Sequence, residues 1–175
     1  MKTLVVYESL YGNTAAIGEA IASSLRTRGL DVASGPVSKI MPGETAAADL
    51  LVVGGPTHMH GMSRPATRRV GAEDEKNTFA EPTVAPGLRE WLTDLPAGAG
   101  RFAAAFDTRI HKSPLLTGSA AKGIERRLTG QGFRMIVEPE SFFVTGENRL
   151  EEGQTEHAAT WAGSLAEHTA EKISR

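Results

Sequence analysis

The sequence predicts an α/β protein in which a parallel sheet is covered by helices on both faces. Three observations carry this. Short apolar, β-branched runs alternate with segments of helical periodicity along the chain. The runs are nearly continuous in apolar residues instead of alternating with polar ones, as in strands buried on both sides. The strongest of them end in loops rich in glycine, hydroxyl or charged side chains, where ligands of such sheets gather.

The elements follow in order. Leu4 to Glu8 reads as a short buried strand. Asn13 to Arg28 reads as a helix with Ile17, Ile21 and Leu25 on one face, closed by Gly29. Leu30 to Val37 is a weaker strand that Pro36 assigns to a sheet edge. Asp49 to Gly55 is the second central strand. Leu88, Trp91, Leu92 and Leu95 mark a short amphipathic helix, and Phe102 to Asp107 a third buried strand. Ala121, Ile124 and Leu128 line the next helix, which ends near Gly130 and Gly132. Phe133 to Val137 is the last strand, with Phe142 to Val144 a candidate continuation. Ala158, Trp161, Leu165 and Ile173 line a long C-terminal helix.

Residues 1–175 read as one domain, since no linker or repeat divides them, and this length buries a substantial core. The stretch from Met62 to Gly87 exceeds the roughly 2 to 6 residues usual for a connection in such folds. Charged and turn-rich, it reads either as a solvated insertion or as a lid or partner-binding loop leaving one of the site loops.

Composition narrows the function. No cysteine is present, which excludes disulfides, thiolate metal sites and a cysteine nucleophile. The net charge of −2 supplies no global field for nucleic acid or anionic lipid. No window is apolar enough for a membrane span, and Lys2 leads straight into a strand rather than a signal peptide. The sequence therefore predicts a cytoplasmic protein that binds neither nucleic acid nor membrane.

Three loops carry the chemistry. In the first, Ser9, Leu10, Tyr11, Gly12, Asn13 and Thr14 compress a strand end, hydroxyl donors and a helix start into one stretch. Such a stretch suits an anion, a phosphate above all; an ordinary strand-to-helix turn with Asn13 as N-cap is the plainer alternative. The loop has no lysine, which points to a monophosphate rather than ATP. Neither Gly-x-Gly-x-x-Gly nor the lysine-containing triphosphate loop is present. The second loop, Gly54 to Met62, makes a sharp Gly-Gly-Pro exit. It then offers Thr57, His58, Met59, His60 and Gly61, flat and polarizable groups suited to an aromatic ring. His58 and His60 lack a nearby carboxylate or cysteine to complete a metal set, so no metal is expected. The third loop, Asp107 to Ser113, offers a carboxylate, a hydroxyl and backbone amides for polar ring edges, with Ile110 or His111 as cover. Arg109 and Lys112 read equally well as solvated charges.

Together these loops resemble the flavodoxin-like FMN-binding family. Ser9-Leu10-Tyr11-Gly12-Asn13-Thr14 is similar to its phosphate loop, Ser/Thr-x-Thr-Gly-x-Thr. Tyr11 before the glycine and Gly54-Gly55-Pro56-Thr57 resemble the flavodoxin-like domains of larger flavoproteins and quinone reductases. The resemblance spans nearly the whole chain except residues 62–87. It implies a flavodoxin-like three-layer sandwich, with a five-stranded parallel sheet in the order 2-1-3-4-5 and the insertion after the third strand. It also implies FMN as cofactor. Ser9 to Thr14 would hold the phosphate, Pro56 to Met62 one face of the ring, and Asp107, Thr108, Arg109 and His111 the pyrimidine edge. The His60–Gly61 peptide would serve the flavin N5. The chain differs from many members in having no Trp in the second loop, no Tyr in the third and a nearly neutral charge.

The resemblance implies a redox protein that transfers electrons through bound flavin, to a partner protein or a small-molecule acceptor, with no side chain required as acid or base. An FMN-dependent NAD(P)H:quinone-type reductase is the enzyme alternative, with His58, His60 or His111 beside the acceptor. A flavin-less scaffold is the third. The missing acidic cluster argues against a phosphate-accepting receiver domain, and no Gly-x-Ser-x-Gly elbow is present. Oligomeric state is left open.

Overall fold

The computed structural model describes residues 1–58, 61–75, 77–80, 82–113 and 117–173. Strands β1 (Lys2–Tyr7), β2 (Asp31–Pro36), β3 (Leu50–His58) and β5 (Phe102–Ile110) form the body of the sheet. Helix α1 (Asn13–Thr27) joins β1 to β2, and a 3-10 turn (Pro42–Ala47) precedes β3. A short strand β4 (Gly61–Met62) folds back antiparallel on β3. Helices α2 (Pro65–Ala72) and α3 (Leu88–Thr93) follow. After β5 come α4 (Ala120–Gly130), β6 (Arg134–Met135), β7 (Glu140–Val144) and α5 (Gln154–Ile173).

The order is β2-β1-β3-β5, with β6 and β7 both parallel to β5 on its far side. Setting aside the β4 hairpin and counting β6 and β7 as one interrupted strand, this is the expected 2-1-3-4-5. The expected strand Phe133 to Val137 shrinks to two residues and gives most of its role to β7. Pro139, lying between them, lacks an N–H and disfavours a continuous ladder. Two other boundaries move: Pro56, Thr57 and His58 belong to β3, and Thr108 and Arg109 to β5, so the second and third loops are shorter than the sequence suggests.

Period-two alternation divides the central strands between two apolar layers. Leu4, Val6, Leu51, Val53, Ala103 and Ala105 face Leu88, Trp91 and Leu92 of α3 and Ile124 and Leu128 of α4. Val5, Leu50, Val52, Ala104 and Phe106 face Ile17, Ile21 and Leu25 of α1 and Ala158, Trp161 and Leu165 of α5. Phe106 stacks edge-on to Phe142 and Trp161 at 6.1 and 6.3 Å. Its ring fills the space a side chain at Gly54 would need, since a Cβ there would lie 2.0 Å from Phe106 Cζ.

Within the 62–87 stretch, α2 ties the chain to the body of the fold: its Arg68 is buried against Glu8, the last residue before the first loop. Among the described residues no helix is long and apolar enough to cross a membrane.

Candidate functional site

The carboxyl ends of β1, β3 and β5 meet where the order of connection reverses, between β1 and β3, which is where open parallel sheets bind ligands. A cavity of about 250 Å³ lies there. Leu10, Tyr11, Asn13 and Thr14 line one side, Pro56, Thr57 and His58 another, and Thr108, Arg109 and Ile110 a third, with Val144 and Asn148 closing it.

The first loop is built for close approach. Gly12 holds φ +88°, and a Cβ there would come within 2.9 Å of Phe79 Cδ2, so both conformation and space exclude a side chain. Helix α1 begins at Asn13 with no side-chain cap from Gly12. Asn13 does not cap it either; its Nδ2 donates to Asn148 O at 2.8 Å. Ser9 Oγ accepts the Ala15 amide at 3.2 Å. The amides of Asn13 and Thr14 are left without a partner among the described residues, as the first turn of a helix leaves them. The Thr14 and Thr108 hydroxyls bond at 2.7 Å. That contact uses one of two O–H protons, so the pair keeps a donor for a ligand.

Asp74, Asn77 and Thr83 clasp this loop from outside. Ser9 N donates to Thr83 Oγ1 at 3.3 Å and Thr83 N to Ser9 O at 2.8 Å. Asn77 Nδ2 donates to Leu10 O at 2.9 Å, and the Tyr11 hydroxyl to Asp74 Oδ2 at 3.1 Å. Burial and Asp74 push the Tyr11 phenol above its usual range. Below the clasp, Glu8 is fully buried, accepting the Leu88 amide at 2.7 Å and the Ser63 hydroxyl, with Arg68 Nη1 3.8 Å away. Arg68 also donates to Glu90 Oε2 at 2.9 Å and Val84 O at 2.8 Å. Burial raises the Glu8 carboxyl above the usual carboxylate range, against the opposing pull of Leu88, Ser63 and Arg68.

The second loop contributes Pro56, Thr57 and His58 from the end of β3. Burial lowers the His58 imidazole below its ordinary value, so it is neutral at pH 7. Gly61 opens β4; Met59 and His60, and with them the His60–Gly61 peptide, lie outside the described residues.

The third loop differs from its sequence reading. Asp107 is fully buried and does not line the cavity. Its Oδ2 accepts from Thr57 Oγ1 at 2.9 Å, Ser119 Oγ at 2.7 Å and the Ala121 amide at 3.0 Å, which fixes the start of α4 against β3. Asp107 Oδ1 has no hydrogen-bond partner among the described residues, and Arg109 Nε stands 4.0 Å from it. Arg109 is not a solvated charge. It is buried, donates to Ser141 Oγ at 3.0 Å and Lys112 O at 2.6 Å, and lies over Phe143. His111 stands outside the cavity lining, stacked 4.0 Å from the Phe143 ring and paired with Glu151 at 3.3 Å. Ile110, 42% exposed, takes the covering position.

The sequence reading missed Asn148 and Val144 of the cavity wall. Asn148 adopts φ +56° in the turn after β7; the signal was Thr145-Gly146-Glu147-Asn148, turn residues at a strand's carboxyl end. A second cavity of about 600 Å³ adjoins the first, shares Tyr11 and Asn148 with it, and is otherwise lined by Asp74, Asn77, Thr78, Gly146, Glu147 and Arg149. No cluster of three or more metal-ligating side chains occurs among the described residues.

No protein-family model matches the chain, and no curated protein matches its sequence. Solved structures do. A flavodoxin from the domain Archaea is 20% identical, with 97% of this chain and 99% of that one aligned at a TM-score of 0.68. Flavodoxin 1 from Bacillus cereus is 15% identical over 96% and 99% of the two chains, at 0.69. A point mutant of flavodoxin from Pseudomonas aeruginosa is 15% identical over 97% and 99%, at 0.71. The chain therefore has the flavodoxin-like fold.

Proposed function

We propose that this protein binds FMN in the cavity between β1, β3 and β5 and transfers electrons through it. The observation that carries this reading is the convergence of three loops on one cavity at the switch point, with unpaired α1 amides at one end and Pro56, His58 and Ile110 at the other. The donors fit a phosphate monoester: the Asn13 and Thr14 amides, the spare Thr14–Thr108 proton and the α1 dipole, with no lysine or arginine in the loop itself. Bound FMN would supply one- and two-electron transfer. Pro56, His58 and Ile110 would flank the ring, and the neutral His58 would add no charge beside it. Asp107 and Arg109 would act by holding β3, β5, β7 and α4 in place.

Titration of flavin-free protein with FMN and with riboflavin tests this. Saturable FMN uptake, at least tenfold tighter than riboflavin uptake, is expected. Failure to take up FMN overturns it and leaves the scaffold alternative.

The adjoining cavity beside Tyr11 and Asn148 favours a second reading, in which a small molecule binds next to the flavin and the protein is an NAD(P)H-dependent reductase. Anaerobic mixing with NADPH or NADH separates the two: rapid bleaching with no other protein present supports the reductase, and stable yellow colour supports the carrier. In either case the electron acceptor is a partner protein or a small molecule.

A further inference from the structure

We propose that the rim beside the β3–β4 hairpin docks an acidic electron-transfer protein through Arg64, Arg89, Lys122, Arg126 and Arg127. Arg89 Nε and Nη2 donate to Ser63 O at 2.8 Å and Met62 O at 2.9 Å, which fixes its guanidinium to the hairpin. Its Nη2 lies 3.8 Å from where a Gly61 Cβ would stand. From the other side, Arg126 Nη2 lies 4.0 Å, and Met62 Cε 3.4 Å, from where a Gly123 Cβ would stand, so α4 reaches the same hairpin. Lys122 and Arg126 are four residues apart on α4 and share a face.

Burial, followed by the fields of Arg127 and Arg64, depresses the Arg89 guanidinium, as expected where like charges crowd. Among the described residues none of the five side chains forms a salt bridge, and Glu90, the carboxylate beside Arg89, is paired with Arg68 at 2.9 Å. Glu125 is the acidic residue of the adjoining α4 turn.

A nearly neutral chain has thus gathered unpaired positive charge at one place, next to a loop that lines the cavity. These residues come from α3, α4 and the N-cap of α2 and line neither cavity described above, which suits a broad protein surface better than a small anion. Among the described residues the patch contains no aromatic side chain for stacking bases, which disfavours nucleic acid. Complementary charge of this kind orients partners and speeds encounter by roughly 10- to 1,000-fold at low salt.

The docking role rests on the flavin reading, and the test separates the two. First, full-length protein as purified is titrated with a poly-glutamate peptide at low ionic strength and followed by backbone amide NMR. Shifts confined to residues near 61–64, 88–90 and 122–127, lost in the Arg64→Glu/Arg126→Glu variant, are expected. No shift, shifts elsewhere, or tighter binding of a single-stranded oligonucleotide overturns the proposal. Second, chemically reduced, FMN-loaded protein is reoxidised with hexacyanoferrate(III) or hexaammineruthenium(III). Each complex takes one electron, so two are consumed per fully reduced flavin, and the flavin protons pass to the buffer. The variant should react about tenfold more slowly with the anion and no more slowly with the cation. Equal slowing, or none, overturns the proposal. The variant's FMN uptake should be unchanged; a protein that takes up no FMN removes the redox reading and the electron-transfer partner together, whereas uptake without peptide shifts removes the docking surface alone.

Discussion

Ser9 and Thr83 exchange two hydrogen bonds, Ser9 N to Thr83 Oγ1 at 3.3 Å and Thr83 N to Ser9 O at 2.8 Å, although they stand 74 positions apart. The segment after β3 thereby becomes the outer wall of the first loop. Thr83 is buried, so Thr83→Val keeps the shape and leaves the Ser9 amide without an acceptor. A loss of about 1–3 kcal/mol is expected. It would be read from urea midpoints, and an unchanged midpoint would mean that the clasp does not support the loop.

Gly12→Ala combines two penalties: a positive φ, which costs about 1–2 kcal/mol for a residue with a Cβ, and the 2.9 Å approach to Phe79. Stability and FMN affinity should both fall, the latter at least tenfold. Adding Phe79→Ala should remove the contact penalty and leave the backbone one. Equal effects of Gly12→Ala in the two backgrounds would show that the ring does not matter.

Glu8 links stability to pH. Its carboxyl is raised in the folded state from an ordinary value of 4.5, so between that value and the folded one the folded protein holds a proton that the unfolded chain has released. The corresponding stability is fully present below pH 4.5 and is lost as pH rises through the folded value. Glu8→Gln removes this dependence. The stability difference, wild type minus variant, should therefore fall with rising pH above about 4.5 and then level off. Chemical denaturation across that range measures it, and a difference that grows with pH would reverse the assignment.

Asp107 separates a supporting role from direct reading of the cofactor. Asp107→Ala leaves Thr57, Ser119 and the Ala121 amide without their acceptor and should cost about 2 kcal/mol or more. FMN affinity of the folded protein should change less than threefold in the milder Asp107→Asn. A large affinity loss at unchanged stability would instead place Asp107 at the pyrimidine edge.

Much of the architecture was legible locally. Leu4 to Val6, Leu50 to Val53 and Ala103 to Phe106 are apolar on both faces, and that composition alone predicts central strands. Ile17, Ile21 and Leu25 announce α1 by spacing. The direction of the Asp107 carboxylate was not legible, because a residue's type is local while its direction is not. A strand-end aspartate can face a ligand or a neighbouring helix, and the packing of α4 on β3 and β5 decides between them. Arg109 was ambiguous for the same reason, since Ser141 and Phe143 reach it from a strand that Pro139 interrupts.

By itself the sequence determined the alternation of strands and helices, the Gly12 turn at the head of α1 and the cluster of loops worth inspecting, because periodicity and turn chemistry are properties of neighbours along the chain. Only the tertiary structure decided that Ser63, Arg68 and Thr83 of the 62–87 stretch are buried against the body of the fold. Glu8 and Arg68 are 60 positions apart. Their pairing follows from the cost of burying either charge alone, a cost that arises only once β1 and α2 have come together.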